Sequence, residues 1–309
     1  MKVSVVIPVR DSGSLPLTLQ SLAMAARNSP EVKLEVTVVD SSSRPQAIPQ
    51  EISQSLRIRV IHCDCRLLTA RMIGFYHSTG DWVLNLDADQ TISPTLLSVV
   101  NESTAAAIVF PEISPRADRW SLLVSKVQGR MEEAFRRTPS LKIPVIPRAY
   151  KFGLLANAFD AIRRDLGEES LAYLPNQHED TILFAYFCLI NQVSVGEGVD
   201  LADVPIYHPI PMLTTTARKT YMYGRDLGES ARRIHLSELR LNAKVWSSVK
   251  RVDLYKVRDV LNANLDYNFQ YFIYYFFRAL FYIPGLAIGF CHRRVYPTEE
   301  GATASEGPS

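Results

Sequence analysis

The chain has 309 residues, of which 47% are hydrophobic and 21% charged, and its net charge is +2. This composition is typical of globular proteins, so it excludes a chain disordered throughout and a collagen-like or low-complexity architecture. The nearly balanced charge disfavours a strongly basic nucleic-acid-binding protein. Of the four cysteines, only Cys63 and Cys65 are close together in the sequence. We therefore expect neither a zinc motif nor a disulfide scaffold. This cysteine usage favours a reducing, cytoplasmic environment. The first residues lack a signal-peptide pattern and predict a strand instead.

Strand and helix patterns alternate over the first third of the chain. Apolar, β-branched runs predict strands at 3–9, 34–40, 57–63, 82–86 and 107–113. Helical spacing of apolar residues predicts helices at 15–28 and 67–78, and a third that opens at Ser93-Pro94. Strands that alternate with helices predict a parallel sheet covered by helices on both faces.

The middle third gives a mixed pattern. Residues 118–136 and 182–190 predict helices, and 156–166 fits either a helix or a pair of strands. Two prolines in 143–150 favour a loop or an edge strand there. A short strand at 204–207 should end at His208.

Acidic residues follow two of the predicted strands. Asp40 ends one of them, and Asp87 and Asp89 follow another. The carboxyl ends of parallel strands form the edge at which such sheets bind ligands. A single aspartate at a strand end can simply cap the next turn, but acids at two strand ends favour a functional site.

The spacing of Asp87 and Asp89 suits a divalent cation. In an extended chain, side chains at i and i+2 point the same way, so the two carboxylates would converge. Mg²⁺ and Mn²⁺ prefer oxygen ligands, and Mg²⁺ takes few of them from protein and the rest from water and phosphate. The pair therefore predicts a metal and diphosphate site, although D-x-D alone is a common pattern.

This pair belongs to one of six short motifs that follow one another in a fixed order. They are Ser4-Val5-Val6-Ile7-Pro8-Val9, Val38-Val39-Asp40-Ser41-Ser42-Ser43, Thr69-Ala70-Arg71-Met72 followed by Gly80-Asp81-Trp82-Val83, Leu86-Asp87-Ala88-Asp89, Gln177-His178-Glu179-Asp180 and Ile206-Tyr207-His208. In type and order they resemble the motifs of family 2 glycosyltransferases, over roughly residues 1 to 225. The resemblance implies a GT-A fold, a Rossmann-like mixed sheet flanked by helices.

The resemblance also implies a role for each matching residue. Pro8, Asp40, Arg71 and Asp87 would line the nucleotide pocket. Asp89 would bind Mg²⁺ or Mn²⁺ with help from Asp87 and His208. Asp180, with Glu179 as second choice, would be the catalytic base that deprotonates the acceptor during an inverting transfer.

Some positions depart from the family pattern. Ser41 and Ser42 replace the second acid and the glycine of V-V-D-D-G-S, and Met72 replaces the asparagine of A-R-N. These departures weaken the assignments around the nucleotide base. A Q-x-x-R-W sequence does not follow Glu179-Asp180; that pattern accompanies processive synthases in the family, so we expect addition of a single sugar.

Plainer interpretations remain open for each residue. Arg71 could pair with Asp64 or Asp81, Glu179-Asp180 could be the charged first turn of a helix, and His208 could be an ordinary hydrogen-bonded histidine. Two other functions also remain open: a nucleotidyltransferase of similar fold, and a sugar-nucleotide or glycan-binding scaffold without turnover.

The last third is basic and then aromatic. Residues 216–258 hold eleven Lys or Arg and four Asp or Glu, a net charge of +7. Arg218, Lys219 and Arg225 in this segment could contact diphosphate of the donor or of a lipid acceptor. Residues 269–290 contain ten aromatic residues and Arg278, which favours a helix lying in a membrane interface over a spanning helix or a core helix.

The expected organisation is therefore a catalytic domain at 1–212, a membrane-proximal helical region at 213–297 and a disordered tail at 298–309. We expect a metal-dependent glycosyltransferase that uses a nucleotide-diphospho-sugar donor and a glycan or lipid-linked acceptor. It would lie at the cytosolic face of a membrane and bind no nucleic acid.

Overall fold

The computed structural model describes residues 1–115, 118–126, 146–171, 179–195, 197–210, 212–233, 276–277 and 279–288. Several predicted features lie outside these residues. They are the second half of the helix predicted at 118–136, His178, the basic residues beyond 233, Arg278 and the tail at 298–309.

In the described part of the chain, eleven short strands form two sheets. In chain order they are β1 (Lys2–Val9), β2 (Lys33–Asp40), β3 (Arg57–His62), β4 (Trp82–Asn85), β5 (Thr91–Ile92), β6 (Ala107–Val109), β7 (Glu112–Ile113), β8 (Ala149–Lys151), β9 (Ser194–Val195), β10 (Gly198–Leu201) and β11 (Ile206–Tyr207). The strand predicted at 107–113 is thus two strands, β6 and β7, which belong to different sheets.

The described helices follow the predicted order, with one addition. They are α1 (Leu15–Asn28), α2 (Gln50–Ser55), α3 (Leu67–Tyr76), α4 (Leu96–Glu102), α5 (residues 119–126), α6 (Phe152–Leu171), α7 (Glu179–Asn191), α8 (Leu213–Arg233) and α9 (residues 276–277 and 279–288). The short helix α2 has no buried residue, so the apolar pattern of the sequence does not reveal it.

The larger sheet has the strand order β3-β2-β1-β4-β8-β6-β10-β9. Its neighbouring strands are parallel, apart from β8, which runs antiparallel to both β4 and β6. The predicted mixed sheet flanked by helices is confirmed.

The position of β8 corrects the prediction of a loop or an edge strand at 143–150. Ala149–Lys151 lies in the middle of the larger sheet, between β4 and β6. Pro147 precedes the strand, and Arg148 supplies the backbone N–H that bonds to Ile108 O at 3.0 Å. Because the proline lies before the ladder, it removes no hydrogen bond from it.

Two apolar cores lie on opposite faces of the larger sheet. Val5 and Ile7 of β1 belong to the core that also contains α1 and α4, whereas Val6 belongs to the core with α3, α6 and α7. This alternation follows from the two-residue period of a strand buried on both faces. The segment 156–166 is therefore part of a core helix, α6, and not a pair of strands.

The smaller sheet, β5-β11-β7, brings distant parts of the chain together. Ile206 of β11 pairs with Ile92 of β5 and with Glu112 of β7. Asp89 precedes β5, and His208 follows β11 with its N–H bonded to Ile113 O at 2.9 Å. The sheet thus places Asp89, Glu112 and His208 beside one another.

The helices α5, α8 and α9 pack together. A Cβ on Gly224 of α8 would lie 2.1 Å from Tyr282 O, and one on Gly285 of α9 would lie 2.1 Å from Tyr221 O, so the two helices cross closely at these glycines. Trp120 of α5 lies with its ring centre 5.0 Å from that of Phe277. Within the described segments, no helix combines the length and apolar content needed to cross a membrane.

Candidate functional site

The acidic pair Asp87 and Asp89 lies on a tight turn after β4. Gln90 closes this turn, because its N–H bonds to Asp87 O at 3.0 Å and its side-chain Oε1 accepts the Asp87 N–H at 2.9 Å. Both carboxylates are about one-third exposed, but they have different partners. We expected an extended backbone at Asp87 and Asp89, which would make the two carboxylates converge. The structure instead has a turn there, closed by Gln90.

Arg71 of α3 is completely buried and binds three carboxylates. Its Nη2 lies 2.9 Å from Asp87 Oδ1 and 3.3 Å from Asp180 Oδ1, and its Nε donates to Glu179 Oε1 at 2.8 Å. Neither of the alternative partners, Asp64 or Asp81, is used. Asp64 instead pairs with Arg10, and Asp81 accepts the Lys2 N–H.

Arg148, which the sequence did not single out, is a second cation at the same place. It is 8% exposed, and its Nη2 donates to Glu112 Oε1 at 2.7 Å and to Asp87 Oδ2 at 3.4 Å. Its Nη1 lies 3.4 Å from Asp180 Oδ2. Arg71 and Arg148 thus join Asp87 to Asp180 through two independent bridges.

The two acids at the start of α7 differ in exposure. Glu179 is 2% exposed, and its burial raises its pKa well above the usual range, although Arg71 opposes this rise. Asp180 is 22% exposed and is held by Arg71 and Arg148. Of the two, Asp180 is the carboxylate that solvent and a ligand can reach.

His208 lies between two carboxylates. Its Nδ1 is 3.1 Å from Glu112 Oε2, and its Nε2 is 3.5 Å from Asp89 Oδ1. Burial lowers the pKa of His208, but the hydrogen bonds with Asp89 and Glu112 outweigh it and raise the pKa to about 10. The pKa of Glu112 is held well below its usual range, because Arg148 and His208 outweigh the effect of its burial.

A cleft of about 690 Å³ lies on the same rim, at the carboxyl ends of β1, β2 and β3. It is lined by Arg10, Asp11, Asp40, Ser41, Ser42, Ser43, Pro45, His62, Cys63 and Asp64. At the entrance, the exposed Arg10 and Asp64 form an ion pair of 2.7 Å.

Asp40 and Pro8 lie beneath the surface of this cleft region. The Asp40 side chain is fully buried, with its oxygens accepting the backbone N–H groups of Ser42 at 2.9 Å and Gln46 at 2.8 Å. Asp40 therefore shapes the loop that lines the cleft, and Pro8 is buried within β1. The predicted contacts of both residues with a nucleotide stay predictions.

The basic residues predicted to contact diphosphate lie on α8. Arg218 and Lys219 are exposed, and Arg225 is half-buried. An ion pair between Arg66 and Asp226, the residue after Arg225, attaches α8 to the start of α3. Arg66 lies two residues after Asp64 of the cleft wall.

Within the described residues, no group of three or more His, Cys, Asp and Glu side chains could hold a metal ion. The pair formed by Asp89 Oδ1 and His208 Nε2 offers one oxygen and one nitrogen donor.

Glu112 and Arg148 are the site residues that sequence reasoning missed. Glu112 begins β7 and Arg148 directly precedes β8, and neither belongs to a motif of the resemblance. In the sequence, each is a charged residue next to a short apolar run. Such a pattern is too common to identify a functional site.

Known proteins resemble this chain in sequence and in fold. Residues 4–147 match the family model for glycosyl transferase family 2. Residues 1–349 of TarS from S. aureus align with 18% identity and a TM-score of 0.51, over 94% of this chain and 81% of that one. In another TarS structure, with 20% identity and a TM-score of 0.46, the alignment covers 75% of this chain but 43% of that chain.

A further similar structure is a mannosyltransferase, PcManGT from Pyrobaculum calidifontis, in complex with GDP-Man and Mn²⁺. It has 16% identity and a TM-score of 0.50, over 94% of this chain and 86% of that one. No curated protein matches the chain significantly. Residues 4–147 are thus similar in sequence to glycosyl transferase family 2, and the chain has the GT-A fold.

Proposed function

We propose that the chain is a glycosyltransferase that moves one sugar from a nucleotide-diphospho-sugar to an acceptor hydroxyl, with inversion at the anomeric carbon. One observation carries the proposal: a continuous series of contacts joins Asp89, His208, Glu112, Arg148 and Asp180 along the rim that also holds the cleft. A donor-binding end and a base are thus close enough to act on the same substrate.

The donor nucleotide would occupy the cleft beside Asp40. A volume of about 690 Å³ lies within the range of pockets for ligands of this size. The serine-rich loop 41–43 and the ends of β2 and β3 supply polar groups to its wall. The similar mannosyltransferase was solved with GDP-Man, a donor of this chemical class.

A divalent cation, Mg²⁺ or Mn²⁺, would bind at Asp89 and His208. These two side chains face each other at 3.5 Å and are partly exposed. Once a cation displaces the proton on His208 Nε2, their donor atoms suit a cation whose remaining ligands are water and diphosphate. Asp87 lies next to this pair, although its carboxylate is bound by Arg71 and Arg148. When bound, the cation would stabilise negative charge on the departing diphosphate.

Asp180 would act as the general base. A carboxylate has about four lone-pair positions, and the two arginines use two of those on Asp180, so an acceptor hydroxyl can still donate to it. As the acceptor oxygen bonds to the anomeric carbon, its proton passes to Asp180 and the bond from that carbon to the diphosphate oxygen breaks. Glu179 is buried and would help to hold Arg71.

The C-terminal helices would lie on the cytoplasmic surface of an anionic membrane. Phe276, Leu280 and Ile283 of α9 are each more than half exposed on successive turns, while Phe277 packs inward against Trp120. The net charge of +7 at 216–258 would attract acidic lipid headgroups. A protein held in this way would reach a lipid-linked acceptor, and Arg218 and Lys219 would contact its phosphate.

The proposal is tested by a thermal-shift screen of nucleoside diphosphate sugars with and without Mn²⁺. A ligand that binds the folded state raises the melting temperature, so one donor should do so, and more strongly with Mn²⁺. A subsequent assay for nucleoside diphosphate release separates an enzyme from a scaffold, which would bind without turnover. A preference for nucleoside triphosphates would instead identify a nucleotidyltransferase and contradict the proposal.

A further inference from the structure

Glu112 has no role in the proposed reaction, yet its carboxylate contacts Arg148, Gln90 and His208. Its Oε1 accepts from Arg148 Nε at 3.1 Å, Arg148 Nη2 at 2.7 Å and Gln90 Nε2 at 3.1 Å. Its Oε2 lies 3.1 Å from His208 Nδ1. The two oxygens of one carboxylate therefore serve different partners.

The partner on Oε2 decides which way the His208 ring presents its nitrogens. Between two carboxylates the His208 ring can carry a proton on each nitrogen, so a cation must displace one of these protons. The nitrogen that donates to Glu112 keeps its proton, and the other nitrogen then supplies the lone pair. In His208 that other nitrogen is Nε2, which faces Asp89 Oδ1. Histidines that bind metals commonly use this arrangement, with a carboxylate behind the ring.

The backbone holds Glu112 and His208 in register. Glu112 pairs with Ile206 in the smaller sheet, and the His208 N–H bonds to Ile113 O at 2.9 Å. Three donors on Oε1 fix the carboxylate itself, so it has little freedom to rotate away from the ring.

We infer that Glu112 is a positioning residue, which directs His208 Nε2 toward Asp89 and thereby sets the affinity of this pair for a divalent cation. The inference rests on the proposed function, because it concerns the cation site of that function. Glu112 itself touches neither donor nor cation; it acts through His208.

Glu112→Gln tests the inference, since glutamine keeps the size of the side chain and removes its charge. Mn²⁺ binding, followed by electron paramagnetic resonance, should weaken about 10- to 100-fold. The nitrogen coupling of His208 to Mn²⁺, measured by electron spin echo, should be present in the unsubstituted protein and weakened or lost in the variant. If Glu112→Gln does not fold, Glu112→Asp is the second variant. Its shorter side chain withdraws the carboxylate from His208, so it should weaken Mn²⁺ binding in the same way.

Two further variants make the outcomes distinguishable. Glu35→Gln changes another partly buried, hydrogen-bonded glutamate away from the rim, and should leave Mn²⁺ affinity unchanged. If Asp89→Ala abolishes binding but Glu112→Gln retains normal affinity and nitrogen coupling, the inference on Glu112 is wrong and the proposed function stands. An equal loss in Glu35→Gln also overturns the inference. Two results would refute the metal site of the proposed function, and the inference with it. One is that Asp89→Ala binds Mn²⁺ as tightly as the unsubstituted protein, and the other is that the unsubstituted protein does not bind Mn²⁺.

Discussion

The guanidinium of Arg71 lies completely buried against the carboxylate of Glu179, with Arg71 Nε 2.8 Å from Glu179 Oε1. The pair connects α3 to the first turn of α7, and Arg71 continues to Asp87 and Asp180. A cation with no exposed surface is costly to desolvate unless it is paired with opposite charge. Arg71 therefore holds the acidic rim together from within the protein, a structural role that motif recognition alone does not reveal.

Arg71→Met should destabilise the protein strongly. Removing one partner of a buried ion pair leaves uncompensated charge, which typically costs about 3–5 kcal/mol. Urea unfolding should therefore detect a loss of this size. The matched control is Arg10→Met, because Arg10 pairs with Asp64 on the surface, with the two side chains 54% and 96% exposed. That variant should lose less than about 1 kcal/mol, and similar losses in both variants would contradict the buried bridge.

Gly74→Ala should destabilise the packing of α3 against the sheet. A Cβ at this position would lie 2.3 Å from Val6 Cγ1 in the middle of β1, which is too close for either side chain to stay in place. Overpacking of this kind costs about 1–3 kcal/mol. In Gly153→Ala, the new methyl group meets no atom within 4 Å, so denaturant unfolding should detect no loss of stability there. Equal stability of the two variants would refute the close contact of α3 with β1.

Glu35 should give the protein a stability that depends on acid pH. Burial raises the pKa of Glu35, but hydrogen bonds from Lys2, Ser4 and Thr79 outweigh it and lower the pKa to about 2. A folded-state pKa below the unfolded value stabilises the protein above the unfolded pKa of about 4.5, and this contribution disappears as the pH falls toward 2.

The measurement is the difference in unfolding free energy between the unsubstituted protein and Glu35→Gln. It should be on the order of 2 kcal/mol near pH 7, and it should shrink between pH 4.5 and pH 2. A difference that is constant over this range would show that the Glu35 charge does not stabilise the fold.

Local patterns were enough to predict the first elements of the fold. The helix α1 begins and ends where apolar spacing places it, at Leu15 and Asn28, because its buried face repeats every three or four residues. β1 was predicted because both of its faces are apolar. The position of Asp87 and Asp89 after a strand, and of Asp180 at a helix start, also followed from sequence order. The turn on which the two aspartates lie did not, because we expected an extended chain there.

The charges that surround these acids could not be predicted in the same way. Arg148 reaches Asp87 and Asp180 because β8 inserts antiparallel into the middle of the sheet, and Glu112 reaches His208 because β7 pairs with β11. Both pairings join segments that are distant in the chain, so no local pattern contains them. Asp40 was predicted at the rim, but a bond to the Ser42 N–H two residues later turns its carboxylate into the protein.

Membrane attachment should depend on the exposed face of α9. A double variant, Leu280→Glu with Ile283→Glu, would place charge on two positions whose side chains are 56% and 62% exposed. The fold should tolerate these changes, whereas the exposed apolar face of α9 is lost. Co-flotation with phosphatidylserine-containing vesicles should fall at least tenfold. Leu17→Glu on α1, where Leu17 is 60% exposed, is the matched control and should float like the unsubstituted protein. If the double variant floats equally well, α9 is not the attachment surface.

The most direct test of the central claim is the release of nucleoside diphosphate by Asp180→Asn, measured with the donor that the thermal-shift screen identifies and Mn²⁺. Asparagine keeps the shape of the side chain but cannot take a proton from an acceptor hydroxyl. We expect donor binding close to that of the unsubstituted protein and turnover reduced at least 100-fold, the effect of losing a general base. Turnover within a few-fold of the unsubstituted protein would contradict the assignment of Asp180 as the base.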